Sequence, residues 1–302
     1  MKLMMHVIDS QQFDRKNIEE IFKITDSFEK KKSKPLKGKI MATLFYEPST
    51  RTRLSFESAM LRLGGGVIGT ENAKEFSSAA KGETIEDTIR IVSRYADVIV
   101  LRHFEKGAAE RAAKISDVPI INAGDGPGQH PTQALLDLYT IRKERGAIDG
   151  VTVAFMGDLK NGRTVRSLAY LLGKYDRIKI IFVSPPALRI GDDIKEYLRW
   201  KNAAYEEIET LGDIISTIDV LYQTRIQKER FENESEYAKY RGVYILTARD
   251  ADKMKAGAII MHPLPRVDEI ALDVDASPHA AYFKQAGYGV LVRMALLVKA
   301  LA

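Results

Sequence analysis

The chain has 302 residues, of which 45% are hydrophobic and 29% are charged, a composition typical of a globular protein with room for two domains. No apolar run is long enough for a membrane span, and the start Met1-Lys2-Leu3-Met4-Met5-His6 lacks an apolar export segment, so we expect no membrane partner and no signal peptide. The absence of cysteine excludes disulfides and thiolate sites and suits a cytoplasmic protein, whereas the net charge of +5 would suit either small anions or nucleic acid.

After a helical pattern at 17–30, short apolar runs that indicate strands alternate with helical patterns. Alternation of this kind is typical of βαβ units with parallel sheets. We therefore predict an α/β fold with two doubly wound parallel-sheet domains and helices on both faces. The predicted strands are 40–46, 98–101, 119–122, 151–156, 178–183, 220–222 and 258–261.

The helical stretch 131–145 is the predicted connector between the domains. We place the first domain at 1–131 and the second at 132–281. The last segment, 280–301, is helical, with Gly287 and Gly289 as expected interruptions. We expect the helix 282–302 to pack back on the first domain.

A run of hydroxyl and guanidinium groups follows the first predicted strand, where Pro48 ends it and a helical pattern begins. Ser49-Thr50-Arg51-Thr52-Arg53 would then lie on the first helical turn. The free backbone N–H groups there favour an anion, and an arginine adds a fork matched to phosphate or carboxylate. Ordinary N-capping by Ser49 or Thr50 is the alternative, although it does not require two arginines.

Other polar clusters follow other strands, at the edge where open α/β sheets place their ligands. They lie at 102–103, 122–133, 157–164, 224–230 and 262–266. Gly64-Gly65-Gly66-Val67-Ile68-Gly69 formally matches a dinucleotide fingerprint, but it follows a helix and leads toward a strand, so we read it as a helix stop. Neither a Walker A sequence nor metal-ligand histidine spacing occurs, and we expect neither a metal nor a cofactor.

Together these motifs resemble the aspartate/ornithine carbamoyltransferase family over nearly the whole chain. The segments 224–227 and 262–266 are similar to the branch that uses aspartate, since the ornithine branch has HCLP and an SMG-containing loop. The resembling stretches are 45–57, 81–84, 122–137, 157–164, 224–230, 262–270 and 282–297.

The resemblance implies two sets of ligands. Carbamoyl phosphate would be held by Ser49, Thr50, Arg51, Thr52, Ser77, Lys81, Arg102, His130, Gln133 and the backbone of Pro263 and Leu264. Aspartate would be held by Lys81, Arg163, Arg225, Gln227, Leu264 and Pro265. The catalytic groups would be Arg51, Thr52, Lys81, Arg102 and His130. Taken alone, His130 before Pro131 would be only a helix-start residue, and Ser78 is an alternative to Ser77.

The family further implies carbamoyl transfer to L-aspartate in pyrimidine synthesis and a homotrimer with shared active sites, to which Ser77 and Lys81 of a neighbouring subunit contribute. It leaves open a separate regulatory chain. A carbamoyltransferase for another amine is the nearest alternative. A basic nucleic-acid-binding protein is a third, but it should show aromatic platforms or a long basic stripe, and we expect no nucleic-acid partner.

Overall fold

A computed structural model describes residues 5–30, 33–73, 82–227, 231 and 233–302. The chain divides into two compact units, residues 1–136 with 287–302 and residues 137–286. Each unit contains one fully parallel sheet, so the predicted fold class is confirmed.

The first unit is built on a four-stranded sheet. Its helices and strands are α1 (Arg15–Lys30), β1 (Ile40–Phe45), α2 (Thr50–Arg62), β2 (Gly66–Glu71), α3 (Ile85–Val92), β3 (Val98–His103), α4 (Ala108–Ile115) and β4 (Ile120–Asp125). The strand order is β2-β1-β3-β4. The two central strands are almost entirely buried, as expected for parallel strands covered on both faces.

The second unit contains a five-stranded sheet of order β7-β6-β5-β8-β9. Its strands are β5 (Thr152–Met156), β6 (Lys179–Val183), β7 (Ala204–Ile208), β8 (Val220–Gln223) and β9 (Ile259–Met261). Its helices are α6 (Arg163–Leu172), α7 (Asp192–Trp200), α8 (Glu234–Ala238) and α9 (Ala248–Ala251). The core includes Ala154, Ile181, Leu221 and Ile260 from four neighbouring strands.

Two helices contain the divisions between the units, α5 (Pro131–Arg145) and α10 (Tyr282–Leu301). The expected interruption of the last helix is wrong, because α10 continues through Gly287 and Gly289. A Cβ atom at Gly289 would approach Arg293 Nη1 to 2.5 Å and Leu136 Cδ2 to 3.0 Å. This glycine therefore permits close packing instead of ending the helix. Within the described residues, no helix combines the length and apolar character that a membrane span requires.

Candidate active site

The first turn of α2 carries the hydroxyl and guanidinium groups predicted to hold an anion. Ser49 is the N-cap residue, but its side chain makes no capping hydrogen bond to any described residue. Its Oγ instead donates to Thr52 Oγ1 at 3.0 Å. Thr52 is buried, whereas Thr50 and Arg51 are exposed. Capping by the Ser49 side chain therefore does not explain this cluster.

Arg53 differs from Arg51 in its surroundings. Its guanidinium donates to Glu57 Oε1 at 2.8 Å and to Glu71 Oε2 at 2.6 Å. The hydrogen bond to Glu57, together with the charges of both carboxylates, raises the pKa of Arg53 despite partial burial. Arg53 thus joins α2 to β2, so the need for a second arginine on this turn has a structural explanation.

Arg102 lies at the carboxyl end of β3, beside the end of β1. The amide of Tyr46 donates to the Arg102 carbonyl at 2.9 Å, which holds the two strand ends together. Arg102 is 7% exposed as a residue. Its Nη1 donates to the Ala123 carbonyl at 3.2 Å and its Nη2 lies 3.2 Å from Glu47 Oε2. A buried guanidinium is therefore fixed at this edge, with a carboxylate as a partner.

His130 and Gln133 follow the end of β4. The His130 carbonyl accepts the backbone N–H groups of Gln133 at 3.0 Å and Ala134 at 3.1 Å, so His130 does start α5, as the structural alternative predicts. Its side chain is also buried, with Nδ1 3.5 Å from Thr132 Oγ1, and Gln133 is nearly as buried. The helix-start position does not account for two buried polar side chains at the strand end, and their catalytic role stays a prediction.

In the second unit, Asn161 links the loops after β5 and β8. Its carbonyl accepts the backbone N–H of Arg163 at 3.0 Å and the side-chain Nε2 of Gln227 at 3.3 Å. The amide of Thr224 donates to the Met156 carbonyl at 2.8 Å, which ties the two strand ends. Arg225 and Gln227 thus lie in a loop that adjoins the start of α6, where Arg163 is the first residue, and all three are partly exposed.

Asp158 is a buried acceptor that connects the same two loops. It is fully buried and accepts the Asn161 amide at 3.0 Å and the Asn161 side chain at 3.1 Å. Burial raises the pKa of Asp158, although hydrogen bonds from Asn161 and from the Gln227 backbone oppose the rise. A buried carboxylate is acceptable here because several donors converge on it.

The loop after β9 presents Pro263, Leu264 and Pro265, which are partly or fully exposed. Leu264 has φ +52° and is followed by a cis peptide bond to Pro265. Below them, His262 Nε2 lies 2.8 Å from Glu269 Oε1, and both residues are buried. The side chains of His262 and Glu269 hold the loop on its buried side. The backbone of Pro263, Leu264 and Pro265 lies on its exposed side.

Three predicted positions, Ser77, Ser78 and Lys81, lie outside the described residues. Sequence reasoning missed the buried or partly buried partners Glu47, Asp158 and Glu269. Each stands inside a segment that the motifs had singled out, at 45–57, 157–164 and 262–270. Their acidic side chains among cationic or amide-rich neighbours were the available signal.

Each unit therefore gathers groups that are able to bind an anion at the carboxyl edge of its own sheet. The first offers a helix N-terminus, Arg51 and Arg102, a set suited to a phosphate. The second offers Arg163 and Arg225, whose planar forks suit carboxylates. Among the described residues, no group of three or more acidic or histidine side chains is placed to hold a metal ion.

Comparison with known families assigns both units. Residues 5–143 match the model of the aspartate/ornithine carbamoyltransferase carbamoyl-P binding domain, and residues 149–300 match that of the Asp/Orn binding domain. The chain belongs to the aspartate/ornithine carbamoyltransferase family. Within that family it is 62% identical over 297 residues to the chloroplastic aspartate carbamoyltransferase 3 of Pisum sativum, covering 96% of this chain and 76% of the relative.

Solved structures of the same family have the same fold. The catalytic subunit of Methanocaldococcus jannaschii aspartate transcarbamoylase matches with a TM-score of 0.91 and 54% identity, covering 99% of this chain and 98% of that one. Aspartate transcarbamoylase from Trypanosoma cruzi, in complex with N-(phosphonacetyl)-L-aspartic acid, matches with a TM-score of 0.93 and 41% identity, covering 98% and 96%.

Proposed function

We propose that this chain is an aspartate carbamoyltransferase: it transfers the carbamoyl group of carbamoyl phosphate to the amino group of L-aspartate. The products are N-carbamoyl-L-aspartate and phosphate. This reaction is an early step of pyrimidine synthesis. The observation that carries the proposal is the match to named aspartate carbamoyltransferases over 96% of the chain. The Trypanosoma cruzi relative, whose fold is the same, has been solved with carbamoyl phosphate and aspartate.

In the first unit, the start of α2 would receive the phosphate. Backbone N–H groups, Ser49, Thr50, Thr52 and the Arg51 guanidinium provide donors there, and each charge-assisted bond contributes about 1.5–3 kcal/mol. Arg102 would bridge the phosphate and the carbamoyl oxygen. Its partner Glu47 (3.2 Å) already holds the guanidinium, and it would share that guanidinium with the arriving anion.

The carbamoyl carbonyl would be polarised by Thr52, Arg102 and His130. Their attraction grows as negative charge develops on the oxygen, which is how an oxyanion site lowers the barrier. Gln133 and the carbonyls of Pro263 and Leu264 would orient the carbamoyl nitrogen. These groups would fix the face of the carbon that the amine attacks.

The second unit would hold aspartate by its two carboxylates, with Arg163 and Arg225 as forks and with help from Gln227, Leu264 and Pro265. The amine nitrogen attacks the carbamoyl carbon, the C–N bond forms, and the bond to the phosphate oxygen breaks through a tetrahedral intermediate. No side chain assigned to the site is an obvious general base. The departing phosphate would therefore accept the amine proton, and catalysis would rest on positioning and electrostatic stabilisation.

For assembly we propose a homotrimer whose sites are shared, with Lys81 and Ser77 or Ser78 donated by the neighbour. An apolar face of α2 supports association, because Leu54 and Leu61 are 56% and 60% exposed and lie seven residues apart on one side of the helix. The adjoining edge strand β2 also exposes Ile68. This proposal does not require a separate regulatory chain.

We also propose a cytoplasmic location, which the absence of cysteine supports. The pea relative is itself named chloroplastic. Immunolocalisation in the source cell would test the compartment, and signal confined to an organelle would contradict it.

The activity is tested by supplying carbamoyl phosphate with aspartate or ornithine at matched concentrations. We expect carbamoyl-aspartate, because two arginines favour a dicarboxylate and repel a second ammonium. Arg163→Ala should raise the KM for aspartate at least tenfold, on the scale of a lost charged hydrogen bond. Arg166→Ala is the matched control on the same helix, because Arg166 pairs with Asp193, and its KM should stay near that of the unmodified enzyme. Faster turnover of ornithine would refute the assignment.

A further inference from the structure

The proposed function depends on backbone carbonyls in the loop after β9, and a carbonyl has no side chain of its own to aim it. Leu264 adopts φ +52°, a left-handed conformation that residues with a Cβ atom seldom adopt unless the surroundings hold them there. Pro263 and Pro265 cannot donate backbone hydrogen bonds. The direction of the Pro263 and Leu264 carbonyls must therefore be set by contacts that buried residues make with this loop.

His262 supplies such a contact. The backbone N–H of Leu264 donates to His262 Nδ1 at 2.7 Å. Because Nδ1 accepts this bond, it carries no proton, and the neutral ring must carry its proton on Nε2. That Nε2 lies 2.8 Å from Glu269 Oε1, so it donates to the carboxylate. The geometry thus defines a neutral, Nε2-protonated histidine.

Glu269 fixes this state from the other side. Its second oxygen, Oε2, accepts the backbone N–H groups of Val267 at 3.0 Å and Asp268 at 3.2 Å. Burial acts to raise the pKa of Glu269, but the bonds from His262 and the backbone outweigh it and lower the pKa. An ionised carboxylate that accepts at both oxygens leaves His262 Nε2 only the role of donor.

The backbone of His262 is anchored as well. Its N–H donates to Gln285 Oε1 at 2.9 Å, and Gln285 Nε2 donates to Asp137 Oδ1 at 2.6 Å. Tyr222 donates its hydroxyl to the other oxygen of Asp137 at 2.7 Å. Residues of α10, α5 and β8 therefore anchor the backbone from which the His262 ring projects.

We propose that His262, kept in its Nε2-protonated tautomer by Glu269, is a positioning residue that aims the Pro263 carbonyl at the carbamoyl nitrogen. This inference rests on the proposed function for its consequence. Neither side chain belongs to the groups assigned to substrate. The pair acts by holding the Leu264 N–H, and through it the peptide plane that carries the Pro263 carbonyl.

The sharpest test is Glu269→Gln, which removes one charge with almost no change of shape. The oxygen of the introduced amide can accept the two backbone N–H groups, but its NH2 group then faces His262 Nε2. That nitrogen must become an acceptor, the ring proton must move to Nδ1, and the Leu264 N–H loses its partner. We expect kcat to fall by tenfold to a hundredfold, the scale on which misplacement of reacting groups acts, with a smaller change in KM for aspartate.

The tautomer of His262 provides a readout that would not change if His262 and Glu269 had only a structural role. Nitrogen NMR of the imidazole rings distinguishes protonated from unprotonated ring nitrogens, and loss of a signal in His262→Asn assigns the residue. We expect the two His262 nitrogens to exchange character in Glu269→Gln. An unchanged tautomer, or an unchanged kcat in a variant whose tautomer has changed, would overturn the proposal.

A second pair of variants applies even if Glu269→Gln does not fold. Asn places an oxygen where His has Nδ1, so His262→Asn can still accept the Leu264 N–H, whereas His262→Phe cannot. Asn should therefore retain at least tenfold more kcat than Phe at equal fractions of folded protein, and equal loss would overturn the proposal. His279→Gln is the control, because His279 is a partly buried histidine of the same unit that bonds the Ala258 carbonyl and should keep its kcat.

Failure of the proposed function would look different. The unmodified enzyme would then not carbamoylate aspartate at all. The exchange of nitrogen character in Glu269→Gln would still report whether the hydrogen bonds from Leu264 to His262 and from His262 to Glu269 exist.

Discussion

At the scale of single residues, neighbouring side chains of one type have different partners. Arg51 and Arg53 are two positions apart on α2, yet Arg53 is held between Glu57 and Glu71 while Arg51 is exposed at the helix start. Their substitution should therefore have different consequences.

Arg51→Ala should lower kcat/KM for carbamoyl phosphate by about tenfold to a hundredfold, because it removes at least one charge-assisted bond worth about 1.5–3 kcal/mol in the transition state. Its melting temperature should barely change. Arg53→Ala should instead lower the free energy of unfolding by about 1 kcal/mol, since its ion pairs are partly exposed. Steady-state kinetics and thermal melts of both variants check this. An active Arg51→Ala enzyme would return the segment to a purely structural role.

The sequence singled out the cationic groups of the candidate site but not the groups that hold them. Arginines beside hydroxyls after a strand have a recognisable chemical purpose, so Arg51, Arg163 and Arg225 were selected. Glu47 acts through Arg102, which is distant in sequence, whereas Asp158 and Glu269 accept backbone N–H groups as well as nearby side chains. Their roles depend on which atoms meet after folding, and the spacing of residues does not encode that.

At the scale of elements, Asp219 joins several elements at the amino-terminal end of the strands of the second sheet. It lies directly before β8. Its carboxylate accepts the Thr152 amide at 2.8 Å and pairs with Lys255 at 2.9 Å and with Arg145. Asp219 thus connects β5, α5 and the segment before β9. Burial opposes its ionisation, but the bonds from Lys255 and Thr152 and the charge of Arg145 prevail and lower the pKa of Asp219 below 3.8.

Asp219→Asn should therefore lower the free energy of unfolding at neutral pH by about 2 kcal/mol. Because the folded pKa is depressed, the stabilisation from Asp219 is complete above the unfolded value near 3.8 and is lost as the pH falls through the folded value. The two unfolding curves should converge at acid pH. Asp117→Asn, which removes an exposed partner of Arg94, should have little effect, and a difference between Asp219→Asn and the parent that persists in acid would contradict this account.

Among the elements, the buried strands were predictable, including the edge strands β4 and β9, whereas the more exposed edge strands β2 and β7 were not. All seven predicted runs contain or overlap observed strands, because parallel strands covered on both faces read as continuous apolar segments. The edge strand β7, Ala204-Tyr205-Glu206-Glu207-Ile208, carries two glutamates and is only partly buried. At an exposed sheet edge, backbone pairing is enough to form a strand, so the strand does not need an apolar sequence pattern.

At the scale of the whole molecule, the proposed trimer makes a prediction that neither unit makes alone. Arg51→Ala and Lys81→Ala chains should each be nearly inactive, one lacking the phosphate fork and the other the donated ammonium. Refolded together, they should form some interfaces at which an intact Lys81 meets an intact Arg51. Activity should then reappear, because those sites contain every group.

A charge tag on one chain would separate the hybrid rings from the parents. Refolding each variant alone under the same conditions is the control for recovery. Hybrid rings that form and stay as inactive as the parents would rule out a site shared in this way.

The discontinuity of the first unit also governs the order in which the chain can fold as it is made. Residues 287–302 include the fully buried Val292 and Leu296, and Arg293 lies 5.0 Å over the Phe56 ring. These residues leave the ribosome only after all of residues 137–286. Since domains fold as units during synthesis, the second unit can complete its core first, while the first unit waits for its final helix and keeps apolar surface available to chaperones.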